Sequence, residues 1–182
     1  MNFRIRNRTA RIICLLILSA SLCGACYALE PAEEAFQKGI TYSKNQNYEE
    51  AITELTKSIL INPSSRVYSF RAYVYLMQNN AEKALADCDK ALEIDPKNAQ
   101  AYNNRAAAYQ KKDNFDKAIE DCGKAIEIDA NNPYFYKNRA LAYFSKKEYE
   151  SSWKDAHKAE SFGFKLNAEF IEALKSASGK TN

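Results

Sequence analysis

The side chains able to carry catalysis are sparse in this 182-residue chain and do not converge. The one histidine, His157, has no second His or Cys at a spacing that would let two ligands share a metal, and it reads as a solvated residue rather than an acid–base group. Of five cysteines, Cys14, Cys23 and Cys26 lie in the first 28 residues, leaving Cys88 and Cys122. These two occupy the same place in two similar stretches. Packed helices stand roughly 8–10 Å apart, and a disulfide needs Cα atoms within about 7 Å, so both are expected to be small buried core residues. Five glycines are too few for a phosphate-cradling loop. Arg71, Arg105 and Arg139 recur at one register. A cation repeated three times is expected to be structural, paired with a neighbouring acid. No cofactor and no metal are called for. What remains is non-covalent chemistry, carried by aromatic, aliphatic and amide side chains at helical spacing.

The elements that position them show most clearly in residues 99–132. Tyr102, Ala106 and Tyr109 fall on one helical face; after the turn Lys112-Asp113-Asn114, Ala118, Cys122, Ala125 and Ile126 fall on another. Residues 65–98 repeat the pattern without a gap. Tyr68, Ala72 and Tyr75 match Tyr102, Ala106 and Tyr109, and Ala84, Cys88 and Ala91 match Ala118, Cys122 and Ala125. The period of 34, with these aromatic and small positions and an Asp-Pro ending, resembles the tetratricopeptide repeat over roughly residues 32–166. The resemblance implies an all-α fold, a right-handed α-solenoid of stacked antiparallel helix pairs.

The predicted units are 32–64, 65–98, 99–132 and 133–166, followed by a capping helix over 167–178. The first unit is one residue short, in a connecting turn where a deletion costs least. In the fourth, Pro133 suits a helix start, while Ser152 stands where Ala51, Ala84 and Ala118 stand in the others. Terminal repeats tolerate such drift because one of their faces meets no further repeat. The small residues Gly39, Ala72, Ala106 and Ala140 sit where a first helix (A) crosses its second (B), and larger side chains there would push the helices apart.

Residues 1–28 read differently. Arg4, Arg6, Arg8 and Arg11 precede the apolar run Ile12–Leu18, and small residues follow: the layout of a secretory signal peptide. The apolar core is short for a membrane span, which needs about 20 residues. Cleavage after Ala28, lipidation at Cys26 and a retained anchor are the three outcomes, each placing the chain outside the cytoplasm, periplasmic or secreted, and the last two membrane-anchored. Beyond residue 28 the chain holds 22 basic and 23 acidic residues, a net −1, so the basic balance belongs to the leader. No excess of positive charge points to nucleic acid or an anionic membrane.

The face of helix A opposite the Tyr102–Ala106–Tyr109 stripe holds positions 100, 103, 107 and 110 and their equivalents. In tetratricopeptide arrays this face resembles the lining of a concave groove for a peptide or helix. Candidate groove residues are Phe36, Ile40, Tyr73, Leu76, Asn103, Asn104, Ala107, Tyr134, Lys137, Asn138 and Leu141. The pattern is greasy at both ends, with amides between them that could bind a partner's backbone. Some family members clamp a chaperone's C-terminal carboxylates with Lys, Asn and Arg; the matching places here hold Phe36, Ile40, Phe70, Gln100 and Asn104. The expected function is a non-catalytic scaffold for another protein. The alternatives are a membrane-tethered assembly factor and a docking subunit of an enzyme complex.

Overall fold

Short polar turns and asparagine caps divide residues 31–179, the part of the chain that the computed structural model describes, into nine helices with no strand among them. They are α1 (31–44), α2 (Tyr48–Ile61), α3 (Ser65–Met77), α4 (Ala81–Ile94), α5 (Ala99–Lys111), α6 (Phe115–Ile128), α7 (Pro133–Ser145), α8 (Tyr149–Ser161) and α9 (Ala168–Ser178). The predicted leader, with Cys26 in it, lies outside the described residues.

The starts are set by side chains that satisfy otherwise orphaned backbone N–H groups. Asn80, Asn98, Asn114, Asn132 and Asn167 each accept from a backbone N–H in the first turn of the helix they precede, and Ser64 does so for α3. Pro133 opens α7, where its missing donor costs nothing. Each A helix turns into its B helix through a residue in the left-handed region: Gln46, Asn79, Asp113 and Lys147, with φ of 62, 60, 55 and 65°. The same strained turn thus recurs at every hairpin.

Packing follows the repeat. α3 lies on α4, α5 on α6 and α7 on α8; each B helix then meets the next A helix, as in α4 on α5 and α6 on α7. A third contact set joins successive A helices, α3 to α5 and α5 to α7, and α9 closes on α8. The result is an all-α solenoid of stacked antiparallel pairs. Ala72, Ala84, Cys88 and Ala108 form one stretch of its core, and Ala106, Ala118, Cys122 and Ala142 the next. At the C-terminal end Ala140, Trp153, Ala156, Leu166 and Leu174 bury together beneath Phe164 and Phe170. Ser152 fits among the alanines because its hydroxyl donates to the Ala140 carbonyl at 2.8 Å, leaving no orphaned polar atom.

Within each repeat from α3 onward the recurring arginine finds a recurring acid sixteen residues later. Arg71 grips Asp87 at 2.7 and 2.8 Å, Arg105 grips Asp121 at 2.8 and 2.9 Å, and Arg139 grips Asp155 at 2.6 and 2.9 Å. All three aspartates are buried. The two-pronged geometry joins helix A to helix B at a fixed rotation. The structural role expected for these arginines is the one observed.

Candidate functional site

The A-helix face is shaped by the contact between successive A helices, a contact that the angular reading of a single hairpin does not include. Asn104 turns its amide into the stack, donating from Nδ2 to the Ser69 carbonyl at 2.9 Å. Asn138 donates from Nδ2 to Asn103 Oδ1 at 2.8 Å, and Gln110 donates to the Asn138 carbonyl at 3.0 Å. Asn103 and Asn104 are buried and Asn138 is half-buried. Here these amides tie α3 to α5 and α5 to α7.

The apolar candidates divide. Leu76, 4 % exposed, belongs to the Ala72–Cys88 core, and Ala107 packs against the same cluster. Ile40 packs half-buried against the cluster around Leu55. Phe36 is also 4 % exposed, held edge-on to Phe70 at 5.7 Å under the guanidinium of Arg66, which stands 4.3 Å from its ring and pairs with Glu33. Tyr73, 39 % exposed, and Tyr134, 56 % exposed, reach out from the face. Lys137 and Leu141 are half-buried on α7.

Two cavities open on this side. One, about 300 Å³, is lined by Phe36, Arg66, Phe70, Tyr73, Gln100 and Asn104, with Phe70 and Tyr73 at 5.8 Å. The other, about 420 Å³, lies at the C-terminal end, where α7 supplies Lys137 and Leu141 and the loop into α9 supplies Phe164, Lys165, Leu166 and Asn167, with Phe170 behind them. Tyr134 meets Phe164 edge-on at 5.1 Å beside it. Burial alone holds the Lys137 ammonium below the ordinary lysine range. Both volumes lie in the range of ligand-holding pockets, about 300–1,000 Å³. Such walls offer apolar burial with a few cationic and amide contacts.

The reading of isolated helix A stripes missed Phe70, Phe164 and Phe170. Phe70 holds the repeat position of the candidates Asn104 and Asn138 and enters the sequence reading only as a missing clamp place, and the other two belong to the loop and cap, where the period no longer applies. Their one signal in the sequence is aromatic character, and the structure leaves all three half-exposed. Elsewhere, His157 stacks on Trp153 at 5.2 Å, at the last B helix. Cys88 and Cys122 are fully buried free thiols, pushed upward by burial, Cys122 to about 12. No cluster of His, Cys, Asp and Glu among the described residues could hold a metal ion.

Comparison with known proteins agrees with the period. Models of the tetratricopeptide repeat match residues 35–65, 65–98 and 99–132. Sperm-associated antigen 1 of Rattus norvegicus is 39% identical over 66 residues, 36% of this chain and 7% of its own length. Hsp70-Hsp90 organizing protein 3 of Arabidopsis thaliana is 38% identical over 66 residues, 36% of this chain and 12% of its own. The chain therefore matches only a small part of these relatives. Among solved structures, the first TPR of Spaghetti (RPAP3), bound to the HSP90 peptide SRMEEVD, superposes with a TM-score of 0.62 at 24% identity, over 64% of this chain and 94% of that one. MamA of Desulfovibrio magneticus RS-1 superposes with a TM-score of 0.64 at 20% identity, over 72% of this chain and 75% of that one. These likenesses concern the fold.

Proposed function

The chain belongs to the tetratricopeptide repeat family, and from that premise we propose that it is a non-catalytic scaffold outside the cytoplasm, holding a peptide or helix of another protein along its A-helix face. The observation that carries this reading is the pairing of exposed Tyr73 and Tyr134 with two apolar cavities on the same side. Exposed aromatics beside preformed apolar hollows are the usual anchors of a protein interface.

The grip is apolar rather than ionic at the N-terminal end. Spaghetti binds an acidic peptide, whereas the clamp places of this chain hold Phe36, Ile40, Phe70, Gln100 and Asn104, and the Asn104 amide is already engaged by Ser69. A buried aromatic contributes about 1.5–3 kcal/mol, and association costs about 4–15 kcal/mol. Four or five anchors therefore give a roughly micromolar, exchangeable complex.

The test is capture of the partner from the compartment in which the protein is found, with Tyr73→Ala and Leu141→Ala compared against the parent chain. Both variants are expected to keep their helical circular dichroism and lose capture. Undiminished capture by both moves the site off this face. Intact mass of the exported protein tests the location: a chain starting at Leu29 has no tether, and a lipid-modified Cys26 makes it an anchored assembly factor.

A further inference from the structure

The C-terminal cavity has a chemistry that the rest of the face lacks. Its floor is Leu141, Phe164, Leu166 and Phe170, and its charged groups are Lys137 and Lys165. No acid lines it, and among the described residues neither lysine has a carboxylate within ion-pair distance; the other lysines without one are exposed, whereas Lys137 is half-buried. Lys137 is half-buried without a counter-charge, so part of the desolvation cost of binding an anion is already met in the free protein. The volume, about 420 Å³, admits more than a lone carboxylate.

The backbone form of the occupant follows from hydrogen-bonding capacity. An extended segment needs partners for its own N–H and C=O groups. Among the lining side chains the one amide is Asn167, whose Oδ1 already accepts from Glu169 N at 2.7 Å to start α9. A helix satisfies its own backbone and presents residues four apart on one face.

We infer that this cavity, between α7, the α8–α9 loop and α9, receives an amphipathic helix of a partner protein whose one face carries a glutamate and, one turn away, a bulky apolar side chain. The carboxylate lies between the Lys137 and Lys165 ammoniums, and the apolar group fills the space over Leu166 and Phe170. The inference rests on the scaffold reading above and gives that scaffold a selective end: the α1–α5 cavity takes apolar groups, and the α7–α9 cavity adds a choice for negative charge.

The probe is a sixteen-residue, N-acetylated and C-amidated helical peptide with one Glu–Phe pair four residues apart on an alanine–glutamine background. Its Gln-for-Glu counterpart and an extended, proline-interrupted version serve as comparisons, all read by fluorescence anisotropy in about 50 mM salt, where charge contacts are weakly screened. The Glu peptide is expected to bind about tenfold tighter than the Gln peptide, because the neutral isostere cannot form charge-assisted hydrogen bonds to the ammoniums. Lys137→Met is expected to erase that difference, and Lys165→Gln, at an exposed loop position whose change leaves the fold alone, to shrink it. Equal binding of the two peptides by the parent chain overturns the assignment, as does no saturable binding of the Glu peptide up to about 1 mM, or a difference that survives both lysine variants. An extended peptide that binds as well as the helical one overturns the helical occupant. The two readings fail separately: Tyr73-dependent partner capture with no Glu–Gln discrimination removes this pocket alone, whereas lysine-dependent discrimination with Tyr73-independent capture supports the pocket and removes the wider groove.

Discussion

Replacing Asp155 by alanine isolates what the arginine–aspartate clamp does for the array. Arg139 and Asp155 meet through two parallel bonds of 2.6 and 2.9 Å, with the Asp155 side chain 4% and the Arg139 side chain 22% exposed. Their main effect on the arginine is through the hydrogen bond, which raises its pKa against the opposing pull of burial. Removing one partner of a buried pair costs about 3–5 kcal/mol, because the remaining charge stays desolvated. One fifth of Arg139 still touches water, which places the expected loss near the lower end, about 3 kcal/mol. Arg105 provides an internal comparison. Besides Asp121 it holds Asp89 through Nη1 at 2.7 Å, so Asp121→Ala leaves a cation with one acid still beside it. That loss is expected near 2 kcal/mol. The assay is urea unfolding and thermal melting followed by helical circular dichroism, with the urea slope checked for change. At roughly 2–4 °C per kcal/mol for a domain of this size, Asp155→Ala should lower Tm by about 6–12 °C. The double change Arg139→Met with Asp155→Leu should recover most of the loss, since apolar groups replace both charges. A fall of less than about 2 °C, or an Asp121→Ala loss equal to or larger than that of Asp155→Ala, refutes the argument.

Two glycines in helices should respond with opposite signs. A Cβ on Gly39 would lie 2.7 Å from Leu55 Cγ and 3.3 Å from the Ala51 carbonyl, so Gly39→Ala should destabilise by about 1–3 kcal/mol. A Cβ on Gly123 would meet nothing closer than Arg139 Nη1 at 4.0 Å, so Gly123→Ala should stabilise by about 0.5–1 kcal/mol in the same melts. The buried thiols predict a pH response. Burial raises Cys88 and puts Cys122 at about 12, above the roughly 8.5 of an unfolded cysteine, so the folded state holds these protons more tightly. Their contribution is fully present below about pH 8.5 and is lost as pH rises from there towards 12. Melts between pH 8 and 10 should show a steeper fall for the parent than for the Cys88→Ala, Cys122→Ala double variant; equal slopes would contradict the assignment.

Helix pairing was legible in the chain because small residues at A–B crossings cannot be exchanged for large ones, so Ala72, Ala106 and Ala140 stand out at a spacing of 34. The arginine register was legible because a cation that must meet an acid in every repeat recurs at the same spacing, as Arg71, Arg105 and Arg139 do. Its acids were not singled out: Asp87, Asp121 and Asp155 lie among apolar neighbours on helix B, where a hydrophobic template passes over them, although they recur at the arginine spacing. The exposure of the face proposed for a partner was legible only in part. Tyr73 and Tyr134 do point outward. The amides were assigned by opposition to a single packed stripe, but an A helix packs on two sides, its own B helix and the neighbouring A helix, and Asn103 and Asn104 serve the second contact. A one-helix wheel cannot display a contact that exists only between copies.

The chain's single tryptophan, Trp153, lies under α9, its indole N–H donating to Ser178 at 3.0 Å. Intrinsic emission therefore looks at one end of a linear molecule, while ellipticity sums over its whole length. If the terminal helix peels away before the middle repeats melt, the indole is wetted first and its emission shifts to the red at lower urea than the loss of ellipticity. The gap between those two midpoints is a direct reading of how firmly the last unit is coupled to the others.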